Sequence, residues 1–187
     1  VSETQSRPGP DLEYWLDGAA TLRKNLRRQD LQSDCAALTT QVITSVALPL
    51  EAGDLVTNLT FKSGSTAAGT PTNWWFALYD TAATPALIAQ TADQTSTAWA
   101  ADTAKTVALA TAYRVPATGV YRAAIMVKAT TPPTLAGITL DDASGSAAII
   151  TGQKVLASTS DTALTTTAPA ALGTQTAVAT VPLVIAN

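Results

Sequence analysis

The sequence predicts an all-β fold, an antiparallel β-sandwich or jelly roll with an N-terminal arm that is extended or short-helical. Three observations predict it. Beyond Cys35 apolar residues recur with period two, which places alternate side chains on opposite faces of a strand. The alternating runs are separated by Gly, Pro, Asp, Ser and Thr clusters at fairly regular spacing, as in hairpin-connected sheets. Charge is also partitioned: residues 1–34 hold 11 of the 25 charged side chains, whereas the other 153 positions share 14. The expected organisation is an anchoring arm over 1–34, a sandwich body over 35–157, and an extended low-complexity connector with a C-terminal edge strand over 158–187.

In the arm, Pro8-Gly9-Pro10 forces an extended entry, because proline fixes its own backbone and restricts the residue before it. Asp11 is placed to cap a short turn bearing Leu12, Trp15 and Leu16 on one side. Gly18 interrupts it, and Leu22 and Leu26 then repeat at i, i+4 among Arg23, Lys24, Arg27 and Arg28. So short an amphipathic stretch is marginal alone in water, so its apolar side must be received by the body or by a neighbour.

In the body, Val42, Thr44, Val46, Leu48 and Leu50 share one side of an extended run that ends at Glu51-Ala52-Gly53-Asp54. Leu55, Thr57, Leu59 and Phe61 repeat the alternation. Trp74, Phe76 and Leu78 oppose Trp75, Ala77 and Tyr79, and Tyr121, Ala123, Ile125 and Val127 oppose Arg122, Ala124 and Met126. Weaker strands are expected at 87–90, 105–109, 135–140 and 148–156. Threonine, with 32 copies, suits a pleated, half-wet surface. Alanine, with 37, leans towards helix but also fills tight space between sheets. Near the end, Ala179, Val181, Leu183 and Ile185 alternate, and Pro182, which cannot donate to a ladder, favours a sheet edge. Residues 158–176 are long for a structureless loop. They are expected to lie on their own body, with exchange into a neighbouring subunit as the competing reading.

Composition excludes most chemistries. There is no histidine, the commonest general base and metal ligand, and one cysteine, too few for a disulfide framework or a thiolate zinc site. Lone Cys35 reads as a small buried residue. A formal net charge of −3 argues against a phosphate-tracking surface, and acidic residues flank the basic cluster at 23–28. Apolar runs such as 181–186 are far shorter than the ~20 residues that span a bilayer. Thr151-Gly152-Gln153-Lys154 lacks the first glycine of a phosphate loop. Asp141-Asp142-Ala143-Ser144-Gly145-Ser146 offers oxygen ligands around a glycine but departs from calcium-loop spacing, so a solvated turn is expected. No catalytic residue, metal site or cofactor is therefore assigned, and the chain is expected to be neither enzyme nor membrane protein nor nucleic-acid binder.

Aromatic and apolar residues carry the partner-binding expectation: Leu12, Tyr14, Trp15, Leu16, Leu22 and Leu26 in the arm, and Trp75 in the body. Consecutive tryptophans in a strand face opposite ways, so Trp75 is expected to face away from the core. There it would serve as a sugar platform, a subunit contact, or the seat of a loop packed on the sheet.

The run Thr70-Pro71-Thr72-Asn73-Trp74-Trp75-Phe76-Ala77-Leu78-Tyr79-Asp80 resembles a group of virion proteins from tailed phages of actinobacteria. The resemblance continues through 92–99 and 119–130 and spans roughly residues 38–140. It implies a β-sandwich virion component of the minor tail or fibre kind, with capsid decoration as a close alternative, and it supplies no catalytic residues. Other phage structural proteins and further copies of the chain, a trimer being favoured, are the implied partners, and the virion is the implied location. The competing class is a carbohydrate-binding module that recognises a host surface glycan through Trp75.

Overall fold

The computed structural model describes residues 22–31 and 34–187. Leu12, Tyr14, Trp15 and Leu16 lie outside the described residues. The described chain is all-β, with twelve strands, two short 3-10 turns and no α-helix.

A six-stranded antiparallel sheet runs in the order β10 (Thr176–Ala177), β9 (Ala157–Ser160), β2 (Ile43–Leu50), β7 (Gly119–Lys128), β4 (Asn73–Tyr79) and β5 (Leu87–Gln90). A four-stranded sheet has the order β1 (Arg23–Lys24), β12 (Val184–Ala186), β3 (Leu55–Lys62) and β6 (Ala104–Arg114), and β8 (Gly137–Thr139) pairs separately with β11 (Thr180–Pro182). The four strong alternating runs become β2, β3, β4 and β7. Between the two larger sheets lies one apolar core, including Val46, Leu48, Phe76, Leu78 and Ile125 from one side and Leu59, Phe61, Leu109 and Val184 from the other. This arrangement is consistent with a β-sandwich.

Aromatic rings fill the centre. Phe61 and Phe76 lie 4.8 Å apart between centroids, and Trp74 lies 5.0 Å from Trp99. Each indole N–H has an acceptor, Trp74 at the Thr97 carbonyl (2.8 Å) and Trp99 at that of Thr103 (2.9 Å), as buried tryptophans require. Cys35 is buried, and its thiol donates to the Ile138 carbonyl at 3.4 Å. Burial pushes that thiol up to about 11, with Asp34 adding to the rise, so it is a packing group rather than a thiolate. Gly137 leaves room for it, since a methyl there would collide with the Val181 carbonyl and the Cys35 sulfur.

At four places the structure adds detail to the expected organisation. First, Leu22 and Leu26 do not form a helical stripe. Residues 23–24 are a strand pairing with β12 (Arg23 opposite Ala186), so this part of the arm takes the extended alternative. Its anchor is ionic: Arg23 donates to Asp54 through Nε (2.7 Å) and to Glu51 (2.8 Å), and Asn25 bridges the Pro182 carbonyl and Val184 N–H. The Arg23 hydrogen bond holds the Asp54 carboxyl below its usual range. Second, the C-terminal run is an edge strand only in part: Pro182 ends β11, which pairs with β8 alone, whereas β12 lies inside the four-stranded sheet between β1 and β3. Third, residues 148–156 form no strand. Fourth, the boundary expected after residue 157 falls inside β9, which pairs with β2 from Ile43–Ser160 to Val46–Ala157.

Candidate functional site

The outer face of the six-stranded sheet carries the odd-numbered residues of β2 and β4 and the even-numbered ones of β7. Alternation alone predicts that this face meets water. Instead Trp75, Ala77, Tyr79, Ala124 and Met126 are buried against Leu164, Ala168 and Leu172 of the connector. Trp75 therefore does face away from the inter-sheet core, but its ring is not exposed. Of the three roles open to it, the seat of a loop packed on the sheet is the one observed.

Polar side chains of the sheet, and Gln41 in the turn before β2, hold that cover down. Trp75 donates to the Thr165 carbonyl (2.8 Å), Tyr79 to that of Pro169 (3.1 Å), and Gln41 to that of Leu164 (3.1 Å). Gln90 donates to the Thr166 carbonyl (3.2 Å) and accepts from the Ala168 N–H (2.6 Å). A chain with few apolar side chains is thus fixed by its backbone, which is how a low-complexity segment becomes ordered without a core of its own. Burial pushes the Tyr79 phenol up, so it remains a hydrogen-bond donor at neutral pH.

Next to this cover lies a second loop, residues 146–157, built differently. Its ends are stapled by Ser146, whose carbonyl accepts from Leu156 N–H (2.8 Å) and whose hydroxyl accepts from Ala157 N–H (2.9 Å). At the tip, Gly152 turns the chain with φ +92°, and the Gln153 side-chain oxygen caps the N–H groups of Ile149 (2.9 Å) and Ile150 (3.3 Å). Lys154 reaches across to the Thr81 carbonyl at 2.7 Å. Before the loop, Asp142 caps a 3-10 turn by accepting from Ser144 N–H (2.7 Å). That is the Asx turn expected of the Asp/Ser/Gly run, and the Ser144 hydrogen bonds hold its carboxyl below the usual range.

Beneath the loop sits Arg122, 3% exposed. Its guanidinium donates to the Val155 carbonyl, to the Ser45 carbonyl (3.0 Å) and hydroxyl (2.8 Å), and to the Ser158 hydroxyl (2.6 Å). None of these partners is a carboxylate. Burial pulls its pKa down to about 10, so it is still charged at neutral pH. A desolvated cation held by neutral acceptors is costly, and here it ties β2, β7, β9 and the loop to one point.

This pinned loop presents apolar side chains to solvent: Ile149 is 81% exposed, Ile150 65%, and Leu156 is exposed beside them. Scattered surface apolar residues need no account, whereas here two isoleucines are adjacent on one loop held by side-chain hydrogen bonds. A groove beside them, lined in part by Ala47, Pro49, Val120 and Ala147, leads to Leu22 where the described arm begins. Leu26 packs against the core margin. The structure thus brings Leu22 near the loop but places Trp75 elsewhere. Sequence reasoning missed Ile149, Ile150 and Arg122. The available signals were an apolar pair inside a Ser/Gly/Thr-rich stretch and an arginine in an otherwise apolar strand. No protein-family model matches the chain, and no curated protein is significantly similar to it.

Proposed function

We propose that this chain is a non-enzymatic structural protein of a tailed-phage particle, a minor tail or fibre component with a jelly-roll-like sandwich body, joined through its N-terminal arm. The observation that carries the reading is the exposed Ile149-Ile150 pair on a loop held by hydrogen bonds of Ser146, Gln153, Lys154 and Arg122, because an apolar tip already held in place loses little entropy when a partner covers it. The arm enters beside the same surface, so the two form one attachment region. Repetition of the chain as a homo-oligomer, a trimer being favoured, would multiply such contacts. Capsid decoration would use the same surface. The glycan-binding alternative rested on an open Trp75 ring, which the connector covers.

The test is removal of residues 1–21. Cutting at 34 instead would strip β1 from β12 and remove the Arg23 ion pairs, so any loss would be confounded by unfolding. The chain lacking 1–21 is expected to keep its β-sheet circular dichroism and its thermal midpoint within a few degrees. Its occupancy on assembled particles is expected to fall at least tenfold. Full occupancy by the shortened chain would refute attachment through the arm.

A further inference from the structure

We propose that the cavity between the 80–86 turn and residues 152–155 binds a small hydroxycarboxylate, its carboxylate drawn to Arg122 and Lys154 and its hydroxyls to Asp80. Neither Ile149 nor Ile150 lines this cavity, and the inference holds whether or not the chain belongs to a particle. The cavity measures about 280 Å³, near the lower end of ligand-binding clefts, so it suits one compact molecule. Its charged and amide lining is Asp80, Arg122, Gln153, Lys154 and Gln175.

The positive charge of this lining is uncompensated. Two of the chain's 11 cations stand here, in a protein of net charge −3, and among the described residues neither makes an ion pair. Arg122 gives its two terminal nitrogens to Ser45, Ser158 and Val155, but its Nε is buried without any acceptor. A buried donor left unmet is costly, and an anion beside the guanidinium would offset that cost. Lys154 likewise has only neutral partners, the Thr81 and Ala82 carbonyls.

The other lining groups discriminate among anions. The side-chain oxygen of Gln153 is taken by the N–H groups of Ile149 and Ile150, and that of Gln175 by the Ser158 hydroxyl (3.1 Å). Both amide nitrogens are thereby left as donors. Asp80 accepts through Oδ1 from the N–H groups of Ala82 (3.0 Å) and Ala86 (2.9 Å), and its Oδ2 takes no hydrogen bond among the described residues. One free carboxylate oxygen beside two cations repels a dianion but accepts from a hydroxyl. The set therefore fits one negative charge with adjacent hydroxyls, as in a uronic acid, better than phosphate or bare acetate.

The test is titration of the full-length chain with D-glucuronate, followed by amide resonances and calorimetry. Saturable binding is expected, with the largest shifts at 80–86, 122, 152–155 and 175. It should be several-fold tighter than acetate or inorganic phosphate, at least about tenfold tighter than glucose, and weakened by salt. Arg122→Met would remove a strut together with the charge, so the deciding variants are Lys154→Gln and Asp80→Asn, each checked for an unchanged thermal midpoint. Lys154→Gln should weaken glucuronate at least about fivefold. Asp80→Asn keeps the Oδ1 that accepts from the turn, and should erase most of glucuronate's advantage over acetate. The proposal is overturned by the absence of saturable shifts at those residues, by equal binding of glucose or phosphate, or by unaltered affinity in Lys154→Gln. An advantage over acetate that survives Asp80→Asn overturns it as well.

Discussion

Replacing Trp75 by alanine is expected to destabilise the protein by about 3–5 kcal/mol, the range for deleting a buried aromatic side chain. The indole fills the space between the outer face of the six-stranded sheet and the connector, and its N–H holds the Thr165 carbonyl. Its loss opens a cavity on one side and frees a backbone acceptor on the other. At about 2–4 °C per kcal/mol for a chain of this size, the thermal midpoint should fall by roughly 10 °C. Amide exchange should rise most over 164–172, where the cover loses its central anchor. A variant with an unchanged midpoint that had lost affinity for a cell-wall polysaccharide would contradict this account and restore the ring as a binding platform.

Arg122→Met is expected to cost about 2–3 kcal/mol, a balance of two opposed terms. Stripping buried acceptors of their donor costs about 1–3 kcal/mol each, and the Val155 and Ser45 carbonyls and two serine hydroxyls would be affected. Removing a buried cation that lacks a carboxylate returns part of that. The pH dependence has a definite sign. The folded-state pKa lies near 10, below the ordinary value of a guanidinium, so the fold bears the cost of the charge at all lower pH and is relieved as pH rises above about 10. Chemical denaturation should show a lower midpoint, and amide exchange should accelerate selectively over 146–157. Wild-type stability with unchanged protection of that loop would show that the guanidinium is no strut.

Strands with a strong apolar period were legible because one face of each meets the inter-sheet core: β2, β3, β4 and β7 follow directly from their alternation. What failed was everything whose burial comes from polar contact. Ala157-Ser158-Thr159-Ser160 has no apolar pattern, yet it is a strand beside β2 because Arg122, Ser45 and Ser158 satisfy one another there. The connector carries almost no charge and few large side chains, and it is ordered by sheet residues that capture its carbonyls. Residues 148–156 do contain an apolar run, but Ser146 and Gln153 close it into a loop, so its isoleucines point to solvent rather than into a core. At Leu22 and Leu26 a helical spacing was overridden by pairing with β12 and by the Arg23–Asp54 ion pair, tertiary contacts that no local pattern contains. The proposed attachment region was therefore legible only at its arm.

The most direct test of the whole account is particle occupancy of the full-length chain carrying Ile149→Asp and Ile150→Asp. Both side chains are exposed, so the variant should fold with a thermal midpoint close to that of the unaltered protein. If the pinned loop is the contact surface, burying two carboxylates against an apolar partner should reduce occupancy at least a hundredfold in competition with the unaltered chain. Equal occupancy of the two chains would show that the loop faces solvent in the assembled particle and that attachment lies elsewhere.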